Sequence, residues 1–120
     1  AEEWPVDDGF FDAVCAVNLC HTVVPEVTRG LMAGAARALR PGGVLCVYGP
    51  FRLEGVRPHL LTHVFDAMYR LRTPGAGLLD LAAMRSEGAL GHPALKAASV
   101  ERAHGDHYWC VWRRADDAGD

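Results

Sequence analysis

The sequence predicts an α/β fold organised on a parallel strand-helix-strand unit, and three observations within residues 10–51 predict it. An unbroken apolar run covers Phe10 to Val17, about fourteen residues of helical periodicity follow from Pro25, and a second apolar run, Val44 to Tyr48, comes after the stop signal Pro41-Gly42-Gly43. Neither run alternates with polar residues, so each strand is expected to be covered on both faces, as in the interior of a parallel sheet. Strands of that kind cannot be joined by a hairpin. The helix must be the crossover, and a right-handed one sets the loops after Val17 and after Tyr48 side by side at the carboxyl end of the sheet, where open α/β sheets bind ligands.

Taken in order, residues 1–9 hold Pro5 and Asp7-Asp8-Gly9, a turn composition that feeds the first strand. Polarity returns at Asn18, and Asn18 to Thr22 is the loop leaving the carboxyl end. Pro25 suits the first turn of the helix and Glu26 its positive end, while Arg37 and Arg40 suit its last turn. Val27, Leu31, Ala35 and Leu39 recur every four residues as a stripe for packing on the sheet, and Gly30 and Gly34 permit close approach of the helix backbone to it. Arg52 to Arg57 is a loop; Pro58 then opens a second helix with Leu61, Val64, Phe65, Met68 and Leu71 on one face, and residues 73–77 end it. A short third helix is expected from Asp80, as N-cap, to Ser86. The last elements form a hairpin: a weaker strand over Ala97 to Ala103, a turn at His104-Gly105-Asp106, and an aromatic, β-branched strand over Tyr108 to Trp112.

Composition narrows the function classes. With 120 residues, 50% hydrophobic and 22% charged, the chain supports one modest core. A net charge of −3, a single lysine (Lys96) and scattered arginines argue against a nucleic-acid partner. No apolar run approaches the roughly twenty residues that cross a bilayer, and no secretion signal opens the chain, so a cytoplasmic setting is the default. Cys15, Cys20, Cys46 and Cys110 lack paired spacing; three fall in apolar strands and are expected to be reduced core residues. His59 and His63 stand one helical turn apart and His104 and His107 flank the last turn, yet neither pair has the companions of a zinc motif, so no metal is expected.

The order of elements and the wording of FFDAVCAVNLCH followed by ARALRPGGVLCVYGP resemble the carboxyl-terminal half of a class I S-adenosylmethionine-dependent methyltransferase, at its fourth strand, fourth helix and fifth strand. Asn18 with His21, Gly30-Leu31, Ala33 to Arg37, Tyr48 to Phe51, Phe65-Asp66, Arg70, Arg72, Pro74, Gly77 and Asp80 are similar to one branch of it, a methyltransferase-like domain family of unknown function. The resemblance covers Trp4 to Arg114. The sequence departs from that branch at Ala76 (usually tryptophan), at Leu79 (usually arginine) and over Arg102 to Asp106, which replaces an Asn-containing turn. It implies a partial Rossmann-like methyltransferase sheet over residues 1–114, with an acidic disordered tail over 115–120. The superfamily's glycine-rich loop and ribose-binding acid belong before Trp4, so S-adenosylmethionine is expected to bind only with that amino-terminal half.

On this resemblance Asn18 and Leu19 border the methionine portion of the cofactor, and His21 is the candidate catalytic residue, able to accept a proton from an oxygen or nitrogen nucleophile because an unperturbed imidazole titrates near pH 6.5. The plainer alternative has Asn18 fixing the turn and His21 capping the next helix. Tyr48, Pro50 and Phe51 form either a substrate wall or packing beneath the following helix. Asp66 and Arg70 read as a helix-surface ion pair. The expected function is the substrate side of a methyltransferase acting on a small-molecule or unidentified acceptor; the alternative is a non-catalytic remnant that binds a partner through the Phe10 to Val17 edge. The sequence sets neither the acceptor nor the oligomeric state.

Overall fold

The computed structural model describes residues 4–19, 25–52, 60–77, 79–81, 92–104 and 106–116. The elements are β1 (Phe11–Val17), α1 (Pro25–Ala38), β2 (Leu39–Arg52), α2 (Leu60–Arg72), the two-residue β3 (Leu79–Asp80), β4 (Leu95–His104) and β5 (His107–Arg114). The main sheet runs β1-β2-β5-β4, with β3 paired to the end of β2. β1 and β2 are parallel, in register from Ala13 opposite Val44 to Val17 opposite Tyr48. The hairpin returns antiparallel and inserts β5 beside β2, Leu45 facing Trp112 and Tyr48 facing Trp109. The strand-helix-strand unit and the terminal hairpin are thus as the sequence predicts.

Side chains alternate in β2 even though nearly all are apolar. Leu39, Leu45, Val47 and Phe51 are buried on one face, where they meet Cys110 and Trp112 of β5 and Met32, Ala35 and Ala36 of α1. The inward stripe of α1 is Thr28, Met32, Ala35 and Ala36, all buried, with Leu31 partly buried, continuing into Leu39, which is the i, i+3, i+4 pattern of a helix lying on a sheet. The expected stripe through Val27 is corrected by one residue: Val27 is exposed, and Thr28 takes its place in the interface. On the other face Ala13, Cys15 and Val17 of β1 are exposed among the described residues, so β1 is covered on one side only and Cys15 is no core residue.

The Pro41-Gly42-Gly43 segment is more than a helix stop. The helix ends at Ala38 and β2 already begins at Leu39, opposite Phe11; the next partners are Ala13 and Val44, so residues 40–43 bulge out of the ladder. Arginines hold this bulge. Arg113 donates to the Gly42 carbonyl at 2.8 Å, Arg114 to that of Leu39, and Arg40 to the Asp12 carboxylate. Gly42 needs its φ of 80°, and a Cβ at Gly43 would stand 2.9 Å from the Arg40 carbonyl oxygen and 3.0 Å from that of Asp12. Gly43→Ala is therefore expected to lower stability by about 2 kcal/mol, because backbone on both sides must give; an unchanged urea midpoint would show that the bulge relaxes freely.

Three further positions take on roles beyond those expected. Gly34 of α1 accommodates the indole of Trp4 rather than the sheet, since a methyl group there would collide with it. Arg37 complements the helix end and also clamps the amino-terminal approach, donating to the carbonyls of Trp4 (2.6 Å) and Val6 (2.8 Å) and to Asp8 Oδ1 (2.7 Å). Asp80, expected as a helix cap, closes β3 opposite Arg52, and Leu81 beyond it is helical. The remainder of the expected third helix, and the tail beyond Asp116, lie outside the described residues.

Candidate functional site

The carboxyl ends of β1 and β2 meet where the crossover predicts. The Asn18 amide donates to the Tyr48 carbonyl at 2.8 Å, extending the parallel ladder one residue beyond β1. Asn18 itself turns into the left-handed region (φ 53°), a conformation asparagine tolerates better than other residues with a Cβ. It lines a cavity of about 320 Å³ together with Pro50 from β2 and His107 from the start of β5, which stand opposite each other in the ladder. The remaining wall is one face of α2: Thr62, Phe65, Asp66 and Tyr69, spaced i, i+3, i+4 and i+7.

This face is not the one that the sequence reading singled out in α2. The leucine-rich stripe is no core face: no described residue of the helix is buried, and Leu61, Val64, Met68 and Leu71 are exposed. The mixed Thr-Phe-Asp-Tyr face borders the cavity instead, and only Phe65 belongs to both patterns. Asp66 accepts from Arg70 Nε at 3.0 Å, the expected i, i+4 ion pair, but its side chain is only 13% exposed and is part of the cavity wall. The pair lies against Gly77, whose φ of 134° and 2.8 Å approach to Asp66 Oδ1 (from a built Cβ) leave no room for a side chain.

Of the residues singled out by sequence, Asn18 and Pro50 reach the cavity. Tyr48 sits behind it: its ring stacks on His107 (5.5 Å, 28°) and contacts Trp109 (4.6 Å, 49°). Phe51 is 3% exposed in the core cluster and does not line the cavity, because alternation along β2 turns it to the face opposite Pro50. Leu19 is exposed at the loop, and His21 lies outside the described residues. Sequence reasoning missed His107, noted only as flanking a turn, and the polar face of α2. Its one available signal was the 62, 65, 66, 69 spacing.

Cys46, directly across from Cys15, has its thiol pushed up by burial and further by its neighbour, which keeps it a neutral thiol at physiological pH. Among the described residues no group of three His, Cys, Asp or Glu stands close enough to hold a metal ion, and no helix is long and apolar enough to cross a membrane.

Asn18 separates a turn role from a binding role. Asn18→Ala is expected to cost about 1 kcal/mol through its left-handed backbone and Asn18→Gly less. Should the glycine variant, with its melting temperature kept, also keep full ligand affinity, Asn18 serves the turn alone.

With this geometry in hand, the fold can be compared with known ones. Mitomycin 7-O-methyltransferase MmcR matches with a TM-score of 0.75 and 17% identity, over 92% of this chain and 31% of that one. An O-methyltransferase family protein from Burkholderia thailandensis matches at 0.68 and 19%, over 91% and 31%, and human N-acetylserotonin methyltransferase, solved in complex with SAM, at 0.67 and 14%, over 87% and 29%. The fold is that of the class I S-adenosylmethionine-dependent methyltransferases, of which the chain spans about a third of the length of these relatives. By sequence, the chain belongs to the family described as a protein of unknown function, DUF938, which matches residues 1–99.

Proposed function

We propose that this chain is the acceptor side of an S-adenosylmethionine-dependent methyltransferase that acts on a small molecule. The observation that carries the reading is the cavity at the carboxyl end of the parallel β1/β2 pair, closed by α2 and the hairpin, on a fold shared with O-methyltransferases. Human N-acetylserotonin methyltransferase is in complex with SAM and PigF with SAH, which supports the same cofactor here.

The left-handed turn at Asn18 fits the methionine end of that cofactor, because it frees a polar side chain and a short backbone segment at the strand terminus. Leu19 would cover the same end. When bound, the cofactor supplies a methyl group already activated on sulfur. The protein's task is then to align the nucleophile, exclude water and remove a proton. Pro50 and the Tyr48-backed His107 wall hold the acceptor, Phe51 anchors the strand end from the core, and His21, three residues beyond Asn18, takes the proton.

These 120 residues contain no glycine-rich loop that follows a strand and opens a helix, so the cofactor's adenosine end finds no cradle in them. Calorimetry is expected to show weak or no S-adenosylmethionine binding by the 120-residue chain and clear binding by a chain extended upstream with such a loop. Tight binding by the short chain would contradict this division of labour, and no binding by the extended chain would contradict the reading itself.

A partner-binding module is the second reading, favoured by the position of β1 at the edge of the described sheet with Val17 and Cys15 exposed. Solution sizing distinguishes it: self-association lost on placing lysine at Val17 supports it, and a stable monomer opposes it.

A further inference from the structure

Three rings run in series across the β2/β5 ladder. Trp109 faces Tyr48 in register, with ring centroids 4.6 Å apart, and Tyr48 stacks on His107 at 5.5 Å and 28°. His107 is the ring of this series that lines the cavity, and Tyr48 and Trp109 are not among its lining residues. Across from it, α2 contributes two more rings, Phe65 and Tyr69, one helical turn apart. The series therefore ends at an opening about 320 Å³ in volume, which lies within the range of small-ligand sites.

We propose that the cavity takes a planar aromatic acceptor, whose ring extends the Trp109-Tyr48-His107 series by stacking on the imidazole of His107 while Phe65 and Tyr69 meet its other side. The physical basis is that aromatic rings prefer offset-stacked or edge-on neighbours at centroid separations of about 4.5–7 Å, a preference beyond simple burial of area. A flat ring satisfies both walls at once. A puckered alicyclic ring of similar size buries comparable surface but presents no face to the imidazole. His107 is on this view a specificity-determining residue, placed by Tyr48 and the ladder to Pro50 and independent of the proton transfer assigned to His21. The assignment of an acceptor rests on the methyl-transfer reading; the ligand class rests on the rings alone.

The test uses the 120-residue chain without cofactor. 2-Naphthol and its saturated counterpart decahydro-2-naphthol are titrated while the ring protons of His107 and the indole of Trp109 are followed by NMR. Naphthol is expected to shift both signals and to bind more tightly than the saturated alcohol. His107→Ala is expected to weaken naphthol about two- to tenfold, the range of a single aromatic pair, and His107→Phe to restore it. Equal affinity for the two alcohols, or saturation by naphthol without movement of the His107 signals, would overturn the proposal. So would a His107→Phe variant that binds no better than His107→Ala with both folded by amide dispersion. Naphthol binding of the expected kind, with no methylation by an upstream-extended chain on any aromatic alcohol, would count against the methyl-transfer reading and leave the ring-recognition assignment standing.

Discussion

Trp112→Ala is expected to unfold the protein at ambient temperature. Trp112 is 1% exposed at the centre of the main sheet, facing Leu45 on one side and Ala97 on the other, and it is the largest fully buried side chain among the described residues. Truncating a buried tryptophan costs about 3–5 kcal/mol through lost transfer energy and the cavity left behind. Domains have only about 5–15 kcal/mol in total. A sheet whose first strand is covered on one side has little reserve within that range. Trp112→Phe is the informative control. The indole Nε1 is buried without a hydrogen-bond partner among the described residues, so phenylalanine removes an unsatisfied donor as it removes volume. The two effects oppose, and a loss of about 1.5 kcal/mol or less is expected. Circular dichroism with urea titration reads both variants; a stable, cooperatively folding alanine variant would show that the core lies elsewhere.

The second large effect concerns the methyl transfer proposed above. In a chain extended to bind cofactor, His21→Ala is expected to lower kcat about 100-fold or more, the range for loss of a positioned general base. The wild-type rate should rise with pH as an imidazole loses its proton, since only the neutral ring accepts one, and this limb should vanish in the variant. Stopped-time assays across pH with a hydroxylated aromatic acceptor provide the readout. A pH limb that survives His21→Ala would move the proton acceptor to another group, and His107 is then the first to test, being the one histidine among the described residues that lines the cavity. Its own substitution is expected to act on KM, through stacking, with kcat held.

Other arginines illustrate how charge reads differently before and after folding. Arg113-Arg114 is the sole doublet of cations in the sequence, and the structure spends both on carbonyl oxygens of the bulge at Leu39 and Gly42.

By itself the sequence determined the parallel pairing of β1 with β2, the crossover helix, the terminal hairpin, and hence the end of the sheet at which Asn18 and Pro50 meet. Those features follow from local signals: unbroken apolar runs, capping and stop residues, and the handedness of a crossover. Tertiary structure alone decided which side of each element became wall and which became core. Along β2 both faces are apolar, so the core position of Phe51 and the cavity position of Pro50 look alike until α1 covers one face. Thr28 is polar and buried, Val27 apolar and exposed, because the rotation of α1 on the sheet is fixed by the summed packing of its small residues rather than by any one of them. Likewise α2 turns Thr62, Phe65, Asp66 and Tyr69 toward a histidine some forty residues further along the chain. Periodicity records which residues share a face; it carries no record of what that face will meet.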